Sequence, residues 1–447
     1  MLFLFCASYV NFNNAKWLDK TVIDWDVTHY YSYLPATFIE HDLSLKFYDK
    51  DPAFYGNHHY LPLKCDNGNY VIKTTMGMAI MYLPFFGMAH LSAKLFGWVP
   101  DGFSVPYQFW ILFASLFYLA CGLSLLRKIL LRFHSEKNSA FILFCTLFGT
   151  NLFIYASING AMSHAHSFAL ICVFMYYGII WLEKPNFKYS LIVGLVGGLI
   201  FLIRPVNILV FLFLIFYGIN SFSDLAERFK FFAKNILHAL LIGVLCFLVF
   251  LPQLLYWKYI SGNYFFNSYV GEHFYFSNPH IIEGLFGFRK GWLLYTPILF
   301  FSLIGLLSLS PPWRGRDGKN PFFTPTLIIF IIYTYVILSW WCWWYGGSFG
   351  LRAMIDIYPL LTISLGGFFI WLFRQKQIIK RIGISITILL IILNLFQSLQ
   401  YRWAIQHYDS NTKAAYLDAF FRINKSPNQE KLISKPDYYR ARQFGEE

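Results

Sequence analysis

The stretch ILHALLIGVLCFLVFLPQLLYW, residues Ile236–Trp257, contains no lysine, arginine, aspartate or glutamate. A helix needs about 20 consecutive apolar residues to cross the hydrocarbon core of a bilayer, so this stretch predicts a membrane-spanning helix. The composition agrees, because 57% of the 447 residues are hydrophobic and only 13% are charged. These proportions exclude an ordinary water-soluble globular protein.

Other apolar runs of similar character follow one another between short polar breaks. They are Val105–Leu126, Ser139–Ser157, Ala161–Leu182, Tyr189–Ile203, Val206–Ile219, Gly291–Leu309, Phe322–Trp341, Ala353–Phe373 and Ile382–Gln400. Met1–Val10 is also apolar but only about half as long as a span requires, and we interpret it as the outer half of a first span whose beginning is missing. The predicted fold is an all-α integral membrane protein, a polytopic helix bundle with about 11 spans.

Basic residues outnumber acidic ones, 36 Lys and Arg against 23 Asp and Glu, which gives a net charge of +13. In a membrane protein such side chains orient the helices and contact membrane lipids, so they do not indicate nucleic acid as a partner. They are concentrated in one alternate set of connections, including Arg127–Lys137 and Arg374–Arg381, which predicts that this set is cytoplasmic. The outer face then holds residues 11–104, the loop Lys258–Lys290 and the tail 401–447.

This orientation gives the apolar stretch Met76–Phe96 an unusual place, because both of its flanks are predicted to lie outside. Such a stretch cannot cross the membrane. We expect it to form a helix, with Pro84 inside it, that lies along the outer interface. The alternative is an ordinary span, with one of the other spans miscounted.

Two carboxylates, Asp24 and Asp26, flank a tryptophan early in the first outer segment. An outward-facing carboxylate near the interface can remove a proton from an acceptor hydroxyl. A pair at this spacing can also chelate a divalent metal such as Mg²⁺ or Mn²⁺. The alternative is that both acids are solvated and that one of them caps a helix predicted at Thr28–Ile39.

Three further polar residues lie next to apolar runs. Lys73 precedes the interfacial helix, where backbone N–H groups and the helix dipole favour a phosphate; the alternative is a lysine that snorkels to the interface. Arg204 separates two apolar runs, and a guanidinium so close to hydrocarbon requires an anion. His164 lies at the outer end of a span, where polar groups are costly unless they line a cavity.

The most distinctive stretch is WWCWWYGGSFGLR, residues Trp340–Arg352. Its tryptophans are typical of an aromatic belt at the membrane interface. A belt requires neither the glycines nor the arginine, however. Glycines allow a backbone to approach a ligand closely, and Arg352 can bind a phosphate through two parallel hydrogen bonds. Arg289 and Lys290, between two glycines, form a second basic corner of the outer face.

The residues Trp25–Tyr30 resemble the Gly-Asp-Glu-Pro-His-Tyr type of motif found in the GT-C superfamily of membrane glycosyltransferases. The similarity is closest to bacterial members of the dolichyl-phosphate-mannose protein mannosyltransferase and aminoarabinose transferase group. Asp26 matches the invariant acid of that motif. Trp25 and Val27 depart from it, so the adjacent Asp24 is a second candidate for the role of the acid.

Two more segments carry the resemblance, which covers most of the chain from Asp24 to about Arg374. Lys73–Gly77, followed by Pro84–Phe86, is similar to the Lys-Tyr-Pro-Pro-Gly and Pro-Phe-Phe pattern of the juxtamembrane helix in these enzymes. Both prolines of the Lys-Tyr-Pro-Pro-Gly part are absent. Trp344–Arg352 is similar to their Trp-Trp-Gly-Gly-x-x-Gly-x-Arg corner, the most specific of the three.

The resemblance implies a GT-C-like catalytic transmembrane domain over residues 1–400, with outer juxtamembrane helices within 11–104, and a C-terminal tail on the outer face over 401–447. It implies an inverting glycosyltransferase that takes a sugar from a polyprenyl-phosphate donor, in the bacterial inner membrane, with its active site facing the periplasm or exterior. In such an enzyme, Asp26 or Asp24 would be the catalytic residue that deprotonates the acceptor hydroxyl. Lys73, Arg204 and Arg352 would bind the donor phosphate. His164, Trp344 and Tyr345 would contact the sugar or the lipid.

Several properties stay open at this point. The acceptor is a lipid, a glycan or a protein, and the sugar is not specified by these motifs. Metal dependence is open as well, with Asp24 and Asp26 as the only ligands that the motifs suggest. Two other functions share the architecture: a ligase that moves a whole glycan from a lipid pyrophosphate, and a flippase or transporter of lipid-linked sugars.

Overall fold

The computed structural model describes residues 2–57, 59, 62–65, 67–307 and 320–446 of the chain. They form two compact units, each assembled from three stretches of sequence. The first unit comprises Met1–Gly122, Tyr155–Ile208 and Asn235–Val270, and the second comprises Leu123–Ile154, Leu209–Lys234 and Gly271–Glu447.

In its described residues, the first unit is helical apart from one small hairpin. Its α-helices are Leu2–Asn14, Asp26–Tyr31, Tyr33–Phe38, Pro52–Asn57, Gly77–Leu95, Ser163–Glu183, Phe187–Ile203 and Ile236–Ser261. A 3-10 helix spans Lys46–Asp49, and the strands Leu63–Lys64 and Tyr70–Val71 pair antiparallel. Three elements contribute residues to both units: the α-helices Val105–Leu130 and Leu152–Ala156 and the 3-10 helix Pro205–Phe211.

Small residues allow two long helices of the first unit, Phe187–Ile203 and Ile236–Ser261, to pack closely. A Cβ atom built on Gly198 would lie 2.9 Å from the Cα atom of Cys246, which is closer than side chains pack. Close backbone approach at glycine is a common way for helices to associate in a membrane, where no hydrophobic driving force acts between them.

The second unit is also helical in its described part. Its α-helices are Glu136–Phe148, Leu212–Phe216, Phe222–Lys234, Ile281–Phe286, Trp292–Tyr295, Leu299–Leu307, Phe323–Leu338, Tyr358–Phe373, Gln377–Arg402, Lys413–Ala419, Gln429–Leu432 and Tyr438–Phe444, with a 3-10 helix at Arg352–Ile357. The last three helices belong to the C-terminal tail, which is therefore a folded part of this unit.

Five helices of the described residues are long and apolar enough to cross a membrane. They are Val105–Leu130, Ser163–Glu183, Ile236–Ser261, Arg352–Phe373 (including the 3-10 turn) and Gln377–Arg402. The prediction of a helical membrane protein is confirmed at this level, whereas the number of about 11 spans and the GT-C fold stay predictions. Met76–Phe96 forms the predicted helix, at Gly77–Leu95, and this helix is not one of the five.

Two predicted spans are interrupted at residues that disfavour an α-helix. The run Ser139–Ser157 breaks between Phe148 and Leu152, where Gly149 and Thr150 are poor helix formers. The run Gly291–Leu309 breaks before Pro297, whose ring disfavours helical backbone at the preceding residue; Thr296 accordingly has a φ of −134°. Residues 308 and 309 of that run lie outside the described residues.

Proline also explains two other differences from the predictions. The run Val206–Ile219 begins directly after Pro205 and forms a 3-10 helix followed by the short helix Leu212–Phe216 instead of one span. The predicted helix Thr28–Ile39 is two helices that meet at Ser32. Pro35 has no N–H to donate to the preceding turn, so a single continuous helix would lack a hydrogen bond there.

Candidate functional site

The acidic turn, Asp24–Asp26, lies in the first unit at the start of helix Asp26–Tyr31. The backbone N–H of Trp25 donates to Oδ1 of Asp24 at 2.9 Å, and the N–H of Val27 donates to the carbonyl of Asp24 at 3.1 Å. Both carboxylates are half-buried. The turn therefore presents two acids whose backbone is fixed by local hydrogen bonds.

Trp25 has a backbone conformation that is unusual for a residue with a side chain, with φ 50° and ψ −125°. This region favours glycine, and another residue in it costs on the order of 1–3 kcal/mol. The tryptophan thus keeps a glycine-like turn directly before Asp26.

His29 connects the acidic turn electrostatically with Lys73, in the same unit. Burial lowers the pKa of His29 to about 4, the carboxylate of Asp26 acts in the opposite direction, and the ammonium of Lys73 lowers the pKa further. Both charges thus act on this imidazole, which is neutral near pH 7. The predicted acid Asp26 and the predicted phosphate ligand Lys73 therefore both lie near enough to the neutral His29 for their charges to act on it.

The segment that carries Lys73 is held by contacts of the lysine itself and of the next residue, Thr74. Its ammonium lies 5.0 Å from the ring centroid of Tyr269, a cation–π distance. The hydroxyl of Ser268 donates to the carbonyl of Lys73 at 2.5 Å, and the hydroxyl of Tyr33 donates to the carbonyl of Thr74 at 2.7 Å. Lys73 is half-buried, so its charge is partly shielded from water.

The same segment packs against the end of helix Phe187–Ile203, directly before Arg204. The hydroxyl of Thr75 donates to the carbonyl of Leu202 at 2.5 Å. The guanidinium of Arg204 lies 3.3 Å from Nδ1 of His164, which is buried. Two residues predicted from separate motifs, Arg204 and His164, are therefore direct neighbours.

Two buried glutamines were missed by the sequence reasoning. Oε1 of Gln108 accepts the N–H groups of Val22 and Ile23, at 3.0 and 2.8 Å, just before the acidic turn. Oε1 of Gln253 accepts the N–H of Met76 at 2.8 Å, just after Lys73. An amide inside an apolar run is costly unless it is hydrogen-bonded, so each glutamine was a signal that the sequence offered.

The Trp340–Arg352 loop belongs to the second unit and contains three left-handed residues, Tyr345, Gly346 and Gly350, with φ of 58°, 61° and 59°. Trp344 is fully buried, and its ring contacts Tyr438 edge to face at a centroid distance of 5.4 Å. The hydroxyl of Tyr345 donates to the carbonyl of Ile337 at 3.0 Å. Trp344 and Tyr345 thus each contact a protein group of their own unit.

Lys290 lies at the base of this loop and is buried. Its ammonium donates to the carbonyls of Ser348 and Tyr408. Burial lowers the pKa of Lys290 to about 7, the charge of Arg352 acts in the same direction, and the carboxylate of Asp409 opposes it. The second basic corner predicted from the sequence therefore has a structural role in holding the loop that precedes Arg352.

The described residues contain no cluster of three or more His, Cys, Asp and Glu side chains that would hold a metal ion. Oδ1 of Asp24 already accepts the N–H of Trp25. Comparison of the chain with models of protein families, with curated proteins and with solved structures finds no match in any of the three.

Proposed function

We propose that this chain is an inverting glycosyltransferase of the GT-C type, which moves a sugar from a polyprenyl-phosphate donor to an acceptor hydroxyl. The observation that supports the proposal is that the charges of Asp26 and Lys73 both act on the imidazole of His29, in one unit. A carboxylate and a cation near each other supply the two things that the reaction needs, a proton acceptor and a counter-charge for the leaving phosphate.

Asp26 is the proposed general base. The acceptor oxygen attacks the anomeric carbon while its proton passes to the carboxylate of Asp26. The bond between the anomeric carbon and the phosphate oxygen breaks on the opposite face, and its electron pair leaves with the polyprenyl phosphate. This geometry inverts the configuration at the anomeric carbon. His29, neutral near pH 7, leaves Lys73 as the cation close to the base.

Lys73 and Arg204 are the proposed ligands of the donor phosphate within the first unit. They would stabilise the negative charge that develops on the phosphate oxygen, and fixed charges in a site with little water stabilise it more strongly than solvated ones. Arg352 stays a proposed phosphate ligand because of its sequence motif. His164, which contacts Arg204, is proposed to orient the guanidinium.

The proposed setting is the bacterial inner membrane, with the acidic turn on the outer face. The donor's lipid tail would remain in the bilayer while its phosphate rests at the interface. A ligase that uses a lipid pyrophosphate is the alternative, because it needs the same base and more positive charge.

The test is a transfer assay with protein purified in detergent, a radiolabelled polyprenyl-phosphate monosaccharide and a panel of acceptors. The proposal expects the release of polyprenyl phosphate that depends on an acceptor, with the label recovered on that acceptor. Turnover of a polyprenyl-pyrophosphate glycan alone would identify a ligase. Movement of a fluorescent lipid-linked sugar across proteoliposomes without bond cleavage would identify a flippase.

A further inference from the structure

The indole ring of Trp25 stacks on the imidazole ring of His59, beside Asp24. The ring centroids are 4.1 Å apart and the planes differ by 15°. Nδ1 of His59 lies 2.5 Å from Oδ1 of Asp24, which also accepts the N–H of Trp25. The carboxylate, the imidazole and the indole thus form one assembly, which we call the Trp25 platform.

Both stacked residues have a backbone conformation that is unusual for a residue with a side chain. Trp25 and His59 have positive φ angles, 50° and 48°, although neither is glycine. Such conformations persist where the surrounding structure fixes them, and they are concentrated at binding and active sites. Trp25 is nevertheless 65% exposed. A large apolar ring held rigidly in the open has little benefit for folding but provides a preorganised surface for a ligand.

We propose that the Trp25 platform is a subsite for a pyranose ring, and that the acceptor of the transfer reaction is therefore a saccharide. The inference rests on the proposed glycosyl transfer. A pyranose has one face of C–H groups, which packs on an aromatic ring, and a rim of hydroxyls, which hydrogen-bond to carboxylate and imidazole groups. The platform offers both kinds of surface, the indole face of Trp25 and the polar edge formed by Asp24 and His59.

The position of the platform in the chain connects it to the proposed base. Trp25 immediately precedes Asp26. The turn that contains both residues is fixed by two hydrogen bonds that Asp24 accepts, from the N–H groups of Trp25 and Val27. A sugar ring stacked on the indole would hold its hydroxyls within reach of the next residue. Such positioning lowers the barrier because the reacting groups no longer have to find each other.

Polar atoms at the edge of the platform favour a sugar over a lipid chain. An interfacial tryptophan can insert into a bilayer. Hydrocarbon, however, offers no hydrogen bonds to the Asp24–His59 pair, and desolvation of these groups without new partners is unfavourable. A ligand rich in hydroxyls supplies such partners. The experiment below therefore distinguishes binding of a sugar from insertion of Trp25 into the bilayer.

Binding is tested without turnover, by saturation-transfer NMR of methyl α-mannopyranoside and methyl β-glucopyranoside with the full chain in nanodiscs. The variant Trp25→Gly removes the ring, and glycine adopts the backbone conformation of this residue without strain, so we expect it to fold. The matched control is Trp98→Ala, because Trp98 is a 45% exposed tryptophan of the same unit. We expect saturation transfer in the wild type and in Trp98→Ala, and its loss in Trp25→Gly.

Equal saturation transfer in the wild type and Trp25→Gly would overturn the subsite. So would the absence of any signal in the wild type, or a Trp25→Gly phenotype confined to weaker association with vesicles, which would mark a membrane anchor.

Turnover provides the second readout. Trp25→Gly should raise the KM for a saccharide acceptor roughly tenfold, which is the loss of affinity expected when one aromatic stacking contact is removed. The KM for the donor should stay the same. If the wild type transfers sugar to a hydroxyl-containing peptide but to no saccharide, the subsite is refuted and glycosyl transfer stands. If methyl glycosides bind at Trp25 but no donor is consumed, glycosyl transfer is refuted and the binding site stands.

Discussion

A Cβ atom built on Gly77 would lie 2.5 Å from the backbone nitrogen of Ile203. No side-chain carbon fits at that distance, so the helix that follows Lys73 can approach the residue before Arg204 only because position 77 is glycine. This contact fixes the spacing between two proposed phosphate ligands, which come from parts of the sequence more than a hundred positions apart.

The first prediction concerns this contact. Gly77→Ala should destabilise the protein by about 1–3 kcal/mol through overpacking and should lower transfer activity, because Lys73 and Arg204 move apart. Gly87→Ala in the same helix is the matched control, since a Cβ there meets nothing within 4 Å. Thermal unfolding in detergent and the transfer assay check both variants. Equal melting temperatures for Gly77→Ala and the wild type would contradict the close packing.

The second prediction separates the two acids. Asp26→Asn should lower transfer by roughly 10²–10⁴-fold, the usual cost of losing a general base, while donor binding persists. Asp24→Asn should have a smaller effect, because Oδ1 of Asp24 already contacts His59 and the N–H of Trp25. The rate of polyprenyl phosphate release measures both. An inactive Asp24→Asn with an active Asp26→Asn would reverse the assignment, and wild-type rates in both would end the catalytic interpretation of the turn.

Arg352 provides the third prediction, which rests on its sequence motif. Arg352→Ala should abolish most of the activity, and Arg352→Lys should recover only part of it, because an ammonium cannot make two parallel hydrogen bonds to a phosphate. Arg374→Ala, beyond the other end of helix Tyr358–Phe373, is the control. Full activity of Arg352→Ala at normal protein level would reduce the Trp340–Arg352 loop to an aromatic belt.

Lys290 gives the fourth prediction, a pH dependence of stability. Burial lowers its pKa from 10.5 to about 7, so between these values the unfolded chain binds more protons than the folded one. The contribution of Lys290 to the free energy of unfolding therefore rises as the pH increases from about 7 towards 10.5. The slope is up to ~1.4 kcal/mol per pH unit. Lys290→Gln keeps N–H donors but cannot titrate. Melting curves across this pH range should show a steeper rise in the wild type than in the variant; parallel curves would mean that Lys290 keeps an ordinary pKa.

The fifth prediction concerns orientation. A cysteine introduced at Lys413 should react in intact cells with a membrane-impermeant thiol reagent, and one at Lys376 should not, because the basic connections are expected inside. Both positions are exposed, and the protein's own cysteines set the background for the measurement. Labelling at Lys376 from outside would invert the topology and move the acidic turn to the cytoplasm.

The helices were predictable from the sequence where apolar length alone determines them. Ile236–Trp257 and Ile382–Gln400 correspond to continuous helices, Ile236–Ser261 and Gln377–Arg402. The breaks at Pro297 and before Pro35 were not predicted, because hydropathy averaged over a window hides the missing N–H of one proline.

The residues of the candidate site were proposed one by one from the sequence, but their contacts with one another were not. Asp26, Lys73 and Arg204 were proposed from their chemistry and motifs, and their roles stay predictions. Their supports, Gln108 and Gln253, were missed because each appears as one amide in an otherwise apolar helix. The contact between His59 and Asp24 could not be inferred at all, because it depends on two left-handed backbone turns that no local pattern of residues indicates.

The folded tail determines when the second unit can be completed during synthesis. Arg289 donates to the carbonyls of Asp409 and Ser434, and Lys290 donates to that of Tyr408. Every acceptor of these three bonds leaves the ribosome after the last long apolar helix, Gln377–Arg402. A message that ends prematurely near residue 402 would thus yield a chain that keeps the five long apolar helices of the described residues and the Ser348 acceptor of Lys290. It would lack the Asp409 and Ser434 acceptors of Arg289 and the Tyr408 acceptor of Lys290. We expect cellular quality control to degrade such a product instead of accumulating it in the membrane.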